Sequence, residues 1–167
     1  LQPRFLNRKL LVLGRFHVYH SHFQQCFNRC DNALMPDPSI RHSIEEKKSA
    51  LASLISAPLG ALATDCAEVW QNPVVVDSIL ERGFEKVPYC KLIYAWDRDN
   101  HVVSSMVGEQ ALDASWRGRD LSERPYLTRR LPFKGIMLSS VYISEYDKRR
   151  TVTALQAVNA GNHLEGF

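Results

Sequence analysis

The sequence predicts an α+β domain in which helix packs on one face of a single antiparallel sheet. Three observations predict it. Apolar residues follow helical spacing across 44–70, the pattern turns strand-like after Pro88, and turn-forming residues break the later runs at short intervals. Helices come first, then a hairpin, a crossover and an antiparallel meander. A chain of 167 residues is expected to form one domain and can bury a real core.

Each element has a local reason. Residues 1–40 mix arginine, histidine, phenylalanine and cysteine without a clean period, and read as an extension ending in the linker Met35-Pro36-Asp37-Pro38-Ser39. Ser43 followed by Glu46 is a capping-box pattern, so a helix is expected to open there. Leu51, Leu54, Ile55, Leu59, Leu62, Val69 and Trp70 continue its stripe past Pro58 and Gly60, which predicts a kink and not an end. Asn72-Pro73 starts a second helix over 74–82, closed by Gly83.

Residues 90–96 form a strand, Asp97-Arg98-Asp99-Asn100 a turn, and 101–105 the returning strand of a hairpin. Residues 106–117 are irregular, and Ser122 caps a short helical turn that tolerates Pro125. A long strand over 135–144, a polar turn over 145–150 and a strand over 151–159 follow. A tight turn at 160–162 then leads into a last strand from His163.

Composition narrows the function. The chain is 45% hydrophobic and 23% charged, with a formal net charge of only +3, and no block of like charge points to nucleic acid or an anionic membrane. Cys26, Cys30, Cys66 and Cys90 lack framework spacing, which favours a reduced, cytoplasmic protein. No apolar run approaches the roughly 20 residues of a membrane span. The first residue is Leu1 and not methionine, which leaves room for upstream sequence and a lost anchor.

The stretch Gly118-Arg119-Asp120-Leu121-Ser122-Glu123-Arg124-Pro125-Tyr126-Leu127 holds two guanidiniums, a phenol and a rigidifying proline between two strand-like segments. These groups suit capture of a small anionic or zwitterionic ligand. Enzymatic chemistry is not expected: there is no Gly-x-Ser-x-Gly elbow, P-loop, Gly-x-Gly-x-x-Gly or His-Glu-x-x-His, and no cofactor is implied. Asp97 and Asp99 read as turn formers, and Cys90 as a buried inert thiol.

The ten-residue stretch also resembles the Gly-x-Asp-x-Ser-x-Arg-x-Tyr signature of Cache domains, the bacterial PAS-like sensors also called PDC domains. Tyr94-Ala95-Trp96-Asp97-Arg98-Asp99-Asn100 resembles their first hairpin, and 138–144 and 151–155 resemble the strands that follow. The resemblance covers residues 44–167 and implies a long N-terminal helix across a five-stranded antiparallel sheet, with a ligand pocket under the 106–130 crossover. It places a sensor domain at 41–167, joined to an output domain outside this chain. Arg124 would hold a ligand carboxylate, Tyr126 and Tyr142 would wall the pocket, and Trp116 and Arg119 would rim it, while Asp120 and Ser122 brace the loop. Tyr126-Leu127 departs from the Trp-Tyr of amino-acid-binding members. The family's last strand is central to the sheet, whereas this sequence stops at Phe167, so that strand is truncated or something else completes the sheet.

Plainer readings stand beside these. Arg124 could pair with Asp120 or a loop carbonyl, and the tyrosines could be core aromatics with satisfied hydroxyls. A second reading of the whole chain is a ligand-free dimerisation or adaptor module working through the 44–70 helix, its pocket filled by side chains. A third is a metal- or redox-responsive module using His17, His20, His22, Cys26 and Cys30, three of which would share a helical face.

Overall fold

The computed structural model describes residues 9–17, 38–109, 112–127 and 135–159. It is α+β: a long helix α1 (Pro38–Glu68) and a second helix α2 (Pro73–Phe84) pack against two small three-stranded antiparallel groups. One group joins β2 (Leu92–Asp97), β3 (Met106–Gly108) and β4 (Leu112–Asp113). The other sets β5 (Ile136–Leu138) and β6 (Tyr142–Ile143) beside β7 (Arg150–Ala157).

A strand that the sequence reading missed lies between them. Residues assigned to an N-terminal extension form β1 (Lys9–His17), antiparallel to β2 on one side and β7 on the other, with a register shift between Leu13 and Arg15. Leu10 faces Trp96 and Ala157, and Val12 faces Tyr94 and Leu155. The central position, for which the resemblance implied a strand at the end of the chain, is thus held by the beginning of it. Residues 160–167, with the expected last turn and strand, lie outside the described residues.

The helix α1 begins earlier than its capping box suggested. Pro38 opens it, because a fixed φ near −65° and a missing N–H cost nothing in a first turn. Ser43 therefore lies inside the helix. The helix runs on through Pro58, which withholds the N–H that would meet the Leu54 carbonyl; Leu54 is exposed, so water reaches that side. In length and composition α1 also meets the criterion for a membrane span, with mean hydropathy 1.4 over an 18-residue window, which corrects the expectation that no run approached one. Leucine, isoleucine and alanine carry that average, and one side of the helix is core: Ile55, Leu59, Leu62 and Cys66 are buried.

In α2, Asn72 caps the N-terminus by accepting from the Val75 N–H at 3.4 Å, as expected. Gly83 does not end the helix. A Cβ there would come within 2.1 Å of Leu62 Cδ2, so glycine lets α2 press against α1.

The hairpin after β2 also differs from expectation. Trp96 bridges Val102, but regular pairing resumes only at Ile93 with Val107, with the register slipped by two residues. Ser104 and Ser105 cause the slip. The Ser104 hydroxyl accepts from the Ala95 N–H at 2.8 Å, and Ser105 donates its N–H and its hydroxyl to the buried Asp77 of α2, each at 2.7 Å. The long strand expected over 135–144 is likewise broken into β5 and β6. At the break Ser139 accepts from the Thr153 N–H through its hydroxyl, at 2.9 Å.

Candidate functional site

The two faces of the sheet carry different chemistry. Ile93 and Ala95 of β2 point to the helices and join Ile55, Leu59, Val76 and Leu80 in an aliphatic core. Leu92, Tyr94 and Trp96 point the other way, towards the crossover at 112–127. This alternation is the period-two geometry of a strand covered on both faces. On the crossover side Trp116, Leu121 and Tyr126 close over Tyr94 and Trp96, and Tyr142 packs at the border.

The result is an aromatic cage. Ring centroids lie 5.3 Å apart for Tyr94 and Trp116, 6.1 Å for Trp96 and Tyr126, and 5.7 Å for Tyr126 and Tyr142, all tilted as the ring quadrupoles prefer. The hydroxyls of Tyr94 and Tyr126 share a hydrogen bond of 2.8 Å, and that of Tyr142 meets Thr153 Oγ1 at 2.6 Å. Trp96 is fully buried, and its indole Nε1 has no acceptor among the described residues. A buried N–H without a partner is costly, which sets this one apart from the satisfied hydroxyls around it.

The crossover is braced by its own side chains. The Asp120 carboxylate accepts from the Ser122 N–H at 2.8 Å and the Ser122 hydroxyl at 2.6 Å, the bracing role expected of this pair. These bonds, and secondarily His101, hold the Asp120 carboxyl below its ordinary value. Asp113 is lowered in the same way, first by Ser115 and then by Arg119. Arg117 ion-pairs with Asp77 and so ties the crossover to α2.

The structure brings most of the nominated residues together. Tyr126 and Trp116 are buried in the cage and Tyr142 is half-buried. Arg124 is paired with Glu145 in the turn before β7, a structural pairing but with a different partner from the Asp120 or loop carbonyl expected. Arg119 lies 4.7 Å over the Trp116 ring and donates to the Ser115 carbonyl and hydroxyl, each at 3.2 Å. A cleft of about 450 Å³ opens elsewhere, between α2 and the β3–β4 edge, and is lined by Glu81, Phe84, Glu85, Val107, Gly108, Glu109 and Leu112. None of its residues was nominated from sequence, and carboxylates scattered over a helix and a strand edge give no motif to read.

His17 falls in β1, while His20, His22, Cys26 and Cys30 lie outside the described residues. Among the described residues no group of three or more His, Cys, Asp or Glu is placed to hold a metal. Burial pushes the thiols of Cys66 and Cys90 up to about 12, so both are protonated and poor nucleophiles at neutral pH. Asp97 is a turn former: one of its oxygens accepts from the N–H groups of Asp99 and His101 at 3.0 and 2.9 Å. No family model, curated protein or solved structure matches the chain.

Proposed function

We propose that the chain is a cytoplasmic signal-input domain of the Cache/PDC, PAS-like kind, which binds an anionic or zwitterionic metabolite without transforming it. In this reading β2, β3, the β5–β6 strand and β7 are four strands of a five-stranded sheet, and β1 supplies the central fifth. The ligand enters between the sheet and the crossover, and binding is relayed through α1 to an output domain. The observation that carries the reading is the fully buried Trp96 Nε1, an indole donor without an acceptor, inside a cage of aromatic rings. A ligand carboxylate or carbonyl oxygen would satisfy that donor, and Arg124 stands near the Tyr126 end of the cage to take a second oxygen.

Thermal shift and tryptophan fluorescence with acetate, succinate and glutamate test the reading. A ligand at about 100 times its dissociation constant adds roughly 2.7 kcal/mol, a melting shift of several degrees. Arg124→Ala removes the shift and Tyr126→Phe reduces it. If none of the carboxylates moves either signal, the sensor reading fails.

Two contacts favour the second reading, a ligand-free adaptor: Arg124 already has the Glu145 carboxylate, and the Tyr94 and Tyr126 hydroxyls satisfy each other. Glu145→Gln separates the two readings. A sensor gains carboxylate affinity when Arg124 is released, whereas an adaptor loses only a surface pair worth up to about 1 kcal/mol.

A further inference from the structure

The C-terminal end of α2 is built against two electrostatic rules. Glu81 lies in its last turn and Glu85 directly after its end, and both are exposed. The free carbonyls there gather partial negative charge, which favours cations and disfavours carboxylates. Four residues apart, the two carboxylates also share a face of the helix and repel each other. Among the described residues neither takes part in an ion pair. Arg82, the basic residue of the last turn, is turned back along the helix, its Nε donating to the Ser78 carbonyl at 3.1 Å.

The same two carboxylates stand on one wall of the cleft of about 450 Å³ between α2 and the β3–β4 edge. Sites for small organic molecules span roughly 300–1,000 Å³. The floor of this one is apolar. Phe84 comes from the helix, and Val107 and Leu112 are register partners on β3 and β4, so their side chains lie on the same side of the sheet. The strand β4 ends the sheet here, and Leu112 is left 42% exposed. On the strand side Glu109 already holds an alkylammonium, that of Lys91. The lining itself has three carboxylates and no basic residue.

We propose that this cleft binds a small primary amine with an apolar body. The ammonium sits between Glu81 and Glu85, and the body lies on Phe84, Val107 and Leu112. The bound cation supplies the charge that the helix end favours and relieves the repulsion between the two carboxylates, to which its N–H groups donate. A metal ion is the poorer match, because among the described residues no three acidic groups converge to hold one. An anion would add to the repulsion, and a neutral molecule would leave it in place. The inference does not rest on the aromatic cage, which lies on the other face of the sheet.

Calorimetric titration of the full chain with phenethylamine at low salt tests it. Saturable one-to-one binding with a dissociation constant of about 1 mM or tighter is expected, weakening as salt rises. 2-Phenylethanol keeps the ring without the charge, and methylamine keeps the charge without the body; each should bind at least about tenfold more weakly. The double variant Glu81→Gln/Glu85→Gln should also bind phenethylamine at least about tenfold more weakly. Its melting temperature without ligand should rise slightly, because the repulsion is gone, and this shows that it folds. Arg124→Ala, which removes carboxylate binding if the cage is a sensor site, should leave amine binding unchanged. Amide chemical shifts should move at 81–85, 107–109 and 112. No saturation up to about 10 mM, or binding that survives in the double variant, overturns the proposal. So does equal binding of 2-phenylethanol or methylamine, or shift changes confined to the cage. Magnesium that displaces phenethylamine at equal concentration assigns the acidic wall to a metal and also overturns it.

Discussion

The two sides of the sheet are built from the same strands but to different ends. On the helix side, β2 contributes Ile93 and Ala95, β7 contributes Ala154, and the helices add branched aliphatic residues. The same strands present Tyr94, Trp96 and Leu155 to the crossover. These aliphatic groups carry no donor or acceptor, so they fill space and resist water. Each ring of the opposite side, Tyr94, Trp96, Trp116, Tyr126 and Tyr142, brings a polar atom, and Thr153 adds a buried hydroxyl.

The largest expected effect breaks the comparison from the helix side. Leu59 is fully buried in the aliphatic core, so Leu59→Ala should cost about 2–5 kcal/mol in urea unfolding. Its near-ultraviolet aromatic signal should keep its native shape until the whole domain unfolds. If the aromatic signal is lost first, the aromatic side unfolds as a unit of its own.

Asp77→Ala comes next, because Asp77 connects the sides. It removes the acceptor for both donors of the buried Ser105 and the partner of Arg117. A loss of about 3 kcal/mol is expected, with Asp77→Asn costing less because one oxygen remains for the Ser105 N–H. Hydrogen exchange should quicken at both the 102–106 segment and the crossover. Protection lost at only one of them would show that Asp77 does not couple them.

Gly83→Ala sharpens the helix side alone. The added methyl group meets Leu62 within 2.1 Å in a buried contact, and the overpacking cost of about 1–3 kcal/mol exceeds the gain of up to about 1 kcal/mol in helix propensity. A net loss in urea midpoint is expected, with carboxylate-induced thermal shifts unchanged. A gain in stability would mean that α1 and α2 can part without cost.

How much of this was legible in the sequence depends on what each residue touches. The helices were readable because each packs one face, which leaves a 3.6-residue stripe. The alternation of β2 was readable in Tyr94, Ala95 and Trp96. The strand β1 was not, because Leu10-Leu11-Val12-Leu13 shows no alternation and reads only as a short apolar run. Gly83 looked like a terminator because sequence shows a glycine and not the Leu62 that presses on it. Tyr126 and Trp116 were found through the crossover motif, yet the Glu145 that holds Arg124 is 21 residues away and no spacing rule links the two. Trp96 was quoted for its place in a strand, and its partnerless N–H is visible only once the cage is built.

The smallest expected effect separates the sides by pH. On the crossover, Asp120 and Asp113 are both held below the ordinary carboxyl value of 3.8. A depressed folded-state value means that their contribution is complete above pH 3.8 and is lost as pH falls through the lower folded value. The helix-side thiols titrate only near 12 and contribute nothing in acid. As pH falls below about 3.8 the aromatic signal of the crossover should therefore fade ahead of the helical signal. Both carboxylates are exposed, so the difference is small, and it is best read against an Asp113→Asn/Asp120→Asn double variant. That variant should lack the early acid phase and otherwise unfold like the parent. An early phase that survives in it would place the acid sensitivity in other carboxylates, and the crossover would lose its claim to be the independently titrating side.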